Sequence, residues 1–263
     1  IGPFIWGWNA VAAAAIFLFL WIILTGRVLE EGIRSNLAMC RRLLENPHRF
    51  TTVDAARYAP DAVAYCNRMQ TELEKYGFVH AADITYSVLE ENRIFTGRSF
   101  VRLMHHTDFT IWALLLKLNP PWYTRFFFTA FGMKSCFDGF VTLGIEYDNG
   151  VMLECNNLAF PLLSAKTPDC LKRIICKNAS VWDLLEKTAA ADREIRAAAD
   201  APNRKKIATL EDAVESIYRG EIMIAGFRLQ NEFTREELLD QGFSEKVADD
   251  YLKMSERIRA QSK

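Results

Sequence analysis

The sequence lacks the motifs that usually mark a nucleotide-binding or hydrolytic site. No GxxxxGK[ST], GxGxxG or GxSxG pattern occurs in its 263 residues, so neither a phosphate-binding loop nor a hydrolase nucleophile elbow is predicted. The six cysteines form no CxxC pair, and the four histidines form no HExxH or HxH pattern. Zinc-knuckle, metalloprotease and redox-pair chemistry are therefore not predicted. We expect no metal ion and no cofactor.

An excess of charge is also missing. The 32 Lys and Arg residues face 33 Asp and Glu residues, which gives a formal net charge of −1. Half of the residues are hydrophobic and a quarter are charged, as in an ordinary globular protein. This composition excludes a wholly disordered chain and a nucleic-acid-binding charge surplus. We expect no nucleic-acid partner.

Charge is absent altogether from residues 1–26, and the first charged side chain is that of Arg27. Within this segment Phe4–Thr25 has Asn9 as its only strongly polar residue. A helix over this stretch is roughly 33 Å long, enough to cross a hydrocarbon core of about 30 Å. The alternatives are a core helix, which rarely lacks charge over this length, and a signal peptide, whose basic region and cleavage site are not visible here. We predict one transmembrane helix.

Basic residues cluster just after this helix and predict its orientation, because Lys and Arg stay on the cytoplasmic side. We therefore expect a single-pass protein of an inner or cytoplasmic membrane, with the bulk of the chain in the cytoplasm and its cysteines as free thiols. An even number of cysteines also permits disulfides. Within this basic stretch, Arg41 and Arg42 are predicted to meet lipid headgroups.

Small residues occupy one face of the predicted transmembrane helix. Gly7, Ala10 and Ala14 share that face, and Asn9 lies beside it. Small side chains let a second helix approach closely, so this face predicts contact with other integral membrane proteins, in addition to the lipid bilayer. The alternative is that Ala-rich runs are simply common in membrane helices. The segment has no His, Cys or Met, and therefore offers no usual axial ligand for haem.

The rest of the chain predicts an α+β fold with a central antiparallel sheet, flanking helices and a helical C-terminal arm. Asp148-Asn149-Gly150 separates two alternating runs and is typical of a hairpin turn. The predicted regions are 1–26 (transmembrane helix), 27–77 (juxtamembrane helices), 78–178 (sheet-rich core) and 179–263 (helical C-terminal region). Further strands are predicted over Val79–Val88, Arg98–His105, Phe109–Leu118 and Phe127–Lys134.

Helix boundaries are predicted from capping signals. Pro60 precedes a helix over Asp61–Tyr76, and Ser180 with Asp183 forms an N-terminal capping pattern. Leu210–Gln230 is predicted as a further helix, and helix starts are predicted at Thr234 and Ser244. Between these helices, Arg204-Lys205-Lys206 is interpreted as a short solvated linker.

The best candidate for chemistry is His105-His106-Thr107-Asp108. His and Asp side chains ligate metals, and His is the commonest general base. Neighbouring residues of a strand, however, point to opposite faces, so two adjacent histidines rarely act together. The alternative is a polar strand end.

Large apolar side chains are concentrated between Phe109 and Phe128. They predict the core of the sheet, a cavity for an apolar ligand, or a patch that docks on a membrane partner. Trp122 and Tyr123 follow Pro120-Pro121 and are predicted to project as aromatic anchors at an interface or the bilayer surface.

Three functions are consistent with these patterns. The first is a non-catalytic accessory or scaffolding subunit of a larger integral membrane complex, with energy-transducing complexes as one class that fits. The second is a membrane-tethered module that binds a lipid or another apolar ligand. The third is an enzyme that uses His105, His106 and Asp108.

Overall fold

A computed structural model describes residues 26–45 except 28 and 36, together with residues 50–86, 97–122, 139–157, 166–198, 201–240 and 243–261. The predicted membrane segment, including Gly7, Asn9, Ala10 and Ala14, lies outside these residues. Tyr123 and the predicted strand Phe127–Lys134 also lie outside them. None of the helices within the described residues combines the length and apolarity that a bilayer span requires.

The fold is α+β, built on one seven-stranded sheet whose spatial order follows the chain order. Neighbouring strands are antiparallel, except for the last two, which are parallel. The strands are β1 (Phe50–Thr52), β2 (Phe78–Tyr86), β3 (Val101–His106), β4 (Trp112–Leu116), β5 (Phe140–Glu146), β6 (Met152–Asn156) and β7 (Leu171–Ile175).

The prediction of a wholly antiparallel sheet was wrong at this last pair. A parallel neighbour needs a crossover of a dozen or more residues, and residues 157–170 supply that length. Strand β7 contains Lys172 and Arg173 side by side, so it shows no apolar alternation by which the sequence could mark it. The sheet also begins earlier than predicted, because β1 lies in the segment for which we predicted only helices.

Helices cover both faces of the sheet. The described residues in the range 26–45 form α1. The other helices are α2 (Pro60–Glu74), α3 (Val181–Arg196), α4 (Leu210–Gln230), α5 (Arg235–Asp240) and α6 (Glu245–Ala260). Since sheet and helices must bury their apolar faces against one another, this arrangement makes three layers.

The two layers of helix pack on alternate residues of the same strands. Val141, Leu143 and Ile145 of β5 belong to the main core, together with residues of α2 and α3. On the opposite face, Ile217 of α4 packs with Leu103 and Trp112. Helix α4 is therefore part of the domain core and does not extend away from the sheet as an arm.

Two glycines make tight turns, and one of these is the hairpin turn that the sequence predicts. Gly150 takes a φ of +82° in the β5–β6 hairpin, and Gly77 takes a φ of +83° between α2 and β2. Glycine adopts this region without the steric cost that a Cβ atom brings. The turn at Gly77 brings Tyr76 and Phe78 to the edge of a cavity beside His106.

Candidate ligand cavity beside His106

A cavity of about 300 Å³ lies between the end of α2, the first turns of α3 and the adjoining ends of the sheet strands. Its walls are largely apolar and include Phe78, Ile111, Ile145 and Leu185. Phe78 and Ile145 are fully buried on the sheet face that α3 covers. Small-molecule sites typically have this size and lining, with a few polar groups that orient the ligand.

Two aromatic side chains lie together on the lining. The rings of Tyr76 and Trp182 have centroids 5.7 Å apart, and Trp182 is 51% exposed although it adjoins the cavity. Its position is set by the start of α3, where the Ser180 hydroxyl accepts from the Asp183 amide at 3.1 Å. The Asp183 carboxylate in turn accepts from the Ser180 amide at 3.2 Å, which completes a capping box.

The structure separates the two adjacent histidines. His105 stacks on Phe109, with ring centroids 4.8 Å apart, and its Nδ1 lies 3.1 Å from the His106 carbonyl oxygen. His106 lines the cavity instead, and its Nδ1 lies 2.9 Å from Asp108 Oδ1. Of the predicted chemical residues, His106 and Asp108 are thus brought together and His105 is not.

Arg204 completes the polar end of the cavity, and sequence reasoning missed it. Its Nε and Nη2 each donate to one carboxylate oxygen of Asp192 at 2.9 Å. Its Nη1 donates to Thr110 Oγ1 at 3.2 Å and lies 3.8 Å from Asp108 Oδ2. The Tyr147 hydroxyl also donates to Asp192, at 3.0 Å. The interpretation of this basic triplet as a solvated linker was wrong for Arg204, which is held in place from two sides.

A signal for this arrangement exists in the sequence of α3. Leu184, Thr188, Ala191 and Asp192 share the buried stripe of the helix, with Asp192 one turn beyond Thr188. A carboxylate on a buried stripe needs a cationic partner, because burial of an unpaired charge is costly. The sequence alone does not identify Arg204 as that partner.

The carboxyl groups of Asp192 and Asp108, at the polar end of the cavity, both have lowered pKa values and accept hydrogen bonds from neighbouring side chains. Burial by itself raises the pKa of Asp192. The hydrogen bonds from Arg204 and Tyr147 and the positive charge of Arg204 have a larger, opposite effect, so the pKa lies below its usual value. Burial likewise opposes ionisation of Asp108, and bonds from His106 and Thr110 bring its pKa down. Burial, and then the adjoining Asp192, raise the pKa of Tyr147, so its hydroxyl stays a donor.

Cys66 and Cys155 are buried in the core and are not suited to act as nucleophiles. Cys66, Cys155, Cys170 and Cys176 are free thiols. Burial raises the pKa of Cys155 to about 11 despite a hydrogen bond with Thr188, and that of Cys66 to about 12. Such thiols are inert packing groups at neutral pH. Within the described part of the chain, no cluster of three or more His, Cys, Asp and Glu residues is suited to a metal ion.

The remaining predicted contact residues lie elsewhere on the surface. Trp122 is 80% exposed, and Arg41 and Arg42 are exposed on α1. That helix docks on the domain, where the Tyr218 hydroxyl donates to the Leu43 carbonyl at 3.0 Å. None of these residues adjoins the cavity.

With this geometry in hand, the chain was compared with known proteins. No protein-family model matches it, and no curated protein or solved structure matches it either.

Proposed function

We propose that this domain binds a small ligand with an apolar body in the cavity beside His106. The observation that carries the proposal is the cavity of about 300 Å³ itself, walled by apolar side chains and bounded by His106 and Arg204. The cavity opens to solvent beside Trp182, so a small molecule can reach it. Its volume and largely apolar lining resemble those of small-molecule sites, and they support this proposal.

Two polar groups on the cavity lining are held in place by hydrogen bonds within the protein. Thr188 Oγ1 donates to the Leu184 carbonyl at 2.7 Å, so that hydroxyl is engaged within α3. Arg204 is fixed by Asp192 and Thr110, which suits a group that orients a ligand. Rigid polar groups of this kind lower the ordering cost of binding.

The proposal is tested with a neutral probe, 4-tert-butylbenzyl alcohol, and the full chain in phosphatidylcholine nanodiscs. We expect binding in the millimolar range, at about 0.3 kcal/mol for each of roughly 12 non-hydrogen atoms. Ala189→Phe places a ring in the cavity lining and should abolish this binding. Calorimetric titration measures both affinities.

Ala198→Phe adds the same ring at an exposed position just beyond α3 and serves as the matched control. It should bind the alcohol as the unchanged chain does. If both variants bind the alcohol equally, the measured heat comes from alcohol that enters the lipid or binds the outer surface of the domain. That result would contradict the proposal.

We further propose that the domain belongs to an accessory or scaffolding subunit, anchored by a membrane helix over Phe4–Thr25. The uncharged sequence supports the anchor. The contacts of α1 support a fixed connection to the domain, since Glu30 pairs with Arg257 at 3.1 Å and Arg34 donates to Gln261 at 3.2 Å. We expect purification in mild detergent to recover an integral membrane partner. Migration as a lone chain of about 30 kDa would contradict this.

A further inference from the structure

We infer that the ligand of the cavity is an organic ammonium ion, with its apolar body inside and its cationic nitrogen between the Trp182 and Tyr76 rings and the Glu186 carboxylate. This inference rests on the proposed function, and it adds the chemical class of the ligand. It is carried by the placement of aromatic rings beside an acidic group on the lining of one cavity.

The aromatic rings and Glu186 are neighbours. Glu186 follows Trp182 by four residues on α3, so the two side chains emerge next to each other on the helix surface. Tyr76 meets Trp182 from the end of α2 with a centroid distance of 5.7 Å. The faces of Trp and Tyr rings attract cations through their quadrupoles, most strongly when the cation is partly removed from water.

The charge around the cavity also selects a cation. Arg204 is bound by both oxygens of Asp192, so its charge is already matched. Glu186 makes no ion pair within the described residues. Arg196 lies 3.9 Å from Asp192 and Arg204 lies 3.8 Å from Asp108, so the two guanidinium groups near the cavity already face carboxylates. Glu186 is thus a carboxylate on the cavity lining that no described Arg or Lys pairs with, which favours a cationic ligand over an anionic one.

The test compares three probes with one tert-butylphenyl body and different charge. They are 4-tert-butylbenzylammonium, 4-tert-butylbenzyl alcohol and 4-tert-butylbenzoate, titrated calorimetrically into the full chain in phosphatidylcholine nanodiscs. We expect the ammonium ion to bind about ten-fold tighter than the alcohol, and the benzoate to bind most weakly.

Glu186→Gln should weaken ammonium binding about five-fold and should lower the affinity for the alcohol by a much smaller factor. Glu194→Gln removes the same charge near the other end of α3, away from the cavity, and should change neither affinity. Trp182→Leu should weaken binding of the ammonium ion more than binding of the alcohol. Trp182→Phe keeps an aromatic ring and should retain most of the preference for the ammonium ion over the alcohol.

The possible results separate the two proposals. Equal affinities for the ammonium ion and the alcohol, a tighter benzoate, or an unchanged Glu186→Gln variant would overturn this inference while the proposed function stands. Absence of alcohol binding, or alcohol binding that survives Ala189→Phe, would overturn the proposed function itself.

Discussion

Replacement of Asp192 by Asn is expected to lower the free energy of unfolding by about 3 kcal/mol. The Asp192 side chain is only 3% exposed and receives two hydrogen bonds from Arg204 and one from Tyr147. Loss of its charge leaves the Arg204 guanidinium with Asp108, at 3.8 Å, as its remaining carboxylate partner. Arg204 is 24% exposed, and water therefore moderates the loss below that of a fully buried pair. Urea unfolding followed by circular dichroism measures the change.

A matched control is Glu194→Gln on the same helix. Glu194 pairs with Lys172 at 2.7 Å, but both side chains are substantially exposed. Exposed pairs contribute little, so the control should stay within about 0.5 kcal/mol of the unchanged chain. An Asp192→Asn variant as stable as this control would show that Arg204 does not depend on the Asp192 charge.

The same pair makes a prediction about pH. The pKa of Asp192 in the folded chain lies below its ordinary value of 3.8, because Arg204 and Tyr147 outweigh the effect of burial. A lowered carboxyl pKa contributes stability above the unfolded value, and that stability is lost as the pH falls through the folded value. The stability difference between the unchanged chain and Asp192→Asn should therefore be complete at pH 6 and shrink below about pH 4.

Local signals in the sequence predicted much of the fold. The hairpin at Asn149-Gly150 and the helix that begins at Pro60 depend on neighbouring residues alone, so their turn and capping chemistry is readable. Strand β7 pairs with β6, which ends 15 residues earlier in the chain. The sequence of β7 contains adjacent charged residues, and it forms a strand because of this distant pairing. Local pattern does not carry that information.

The candidate site was predictable only in part, because it is assembled from distant segments. His106 and Asp108 are close in sequence, and their proximity was foreseen. Tyr76 and Trp182 are more than a hundred residues apart and meet only because α2 and α3 pack on one face of the sheet. Strand alternation did predict that His105 and His106 would diverge.

Arg102→Met is expected to have the largest effect on stability, about 4 kcal/mol. Arg102 is buried on β3, where its Nε and Nη2 donate to the two Asp83 oxygens at 2.7 and 2.9 Å. Its Nη1 donates to Asn67 at 2.6 Å and to Gln70 at 2.9 Å, so one side chain joins β2 and β3 to α2. Methionine fills much of the volume but leaves the Asp83 carboxylate, which is 11% exposed, without its cation.

A double-mutant cycle separates two causes of this destabilisation, the unpaired charge of Asp83 and the loss of packing around Arg102. If the uncompensated charge dominates, Asp83→Asn in the Arg102→Met background should restore more than 1 kcal/mol, because no buried carboxylate then remains. Arg98→Met, at an exposed position before β3, is the control for removal of a positive charge and should change stability by less than about 0.5 kcal/mol. Additive losses from the two single variants would instead mean that the Asp83 charge does not carry the effect, and that Arg102 acts through its packing and its hydrogen bonds to Asn67 and Gln70.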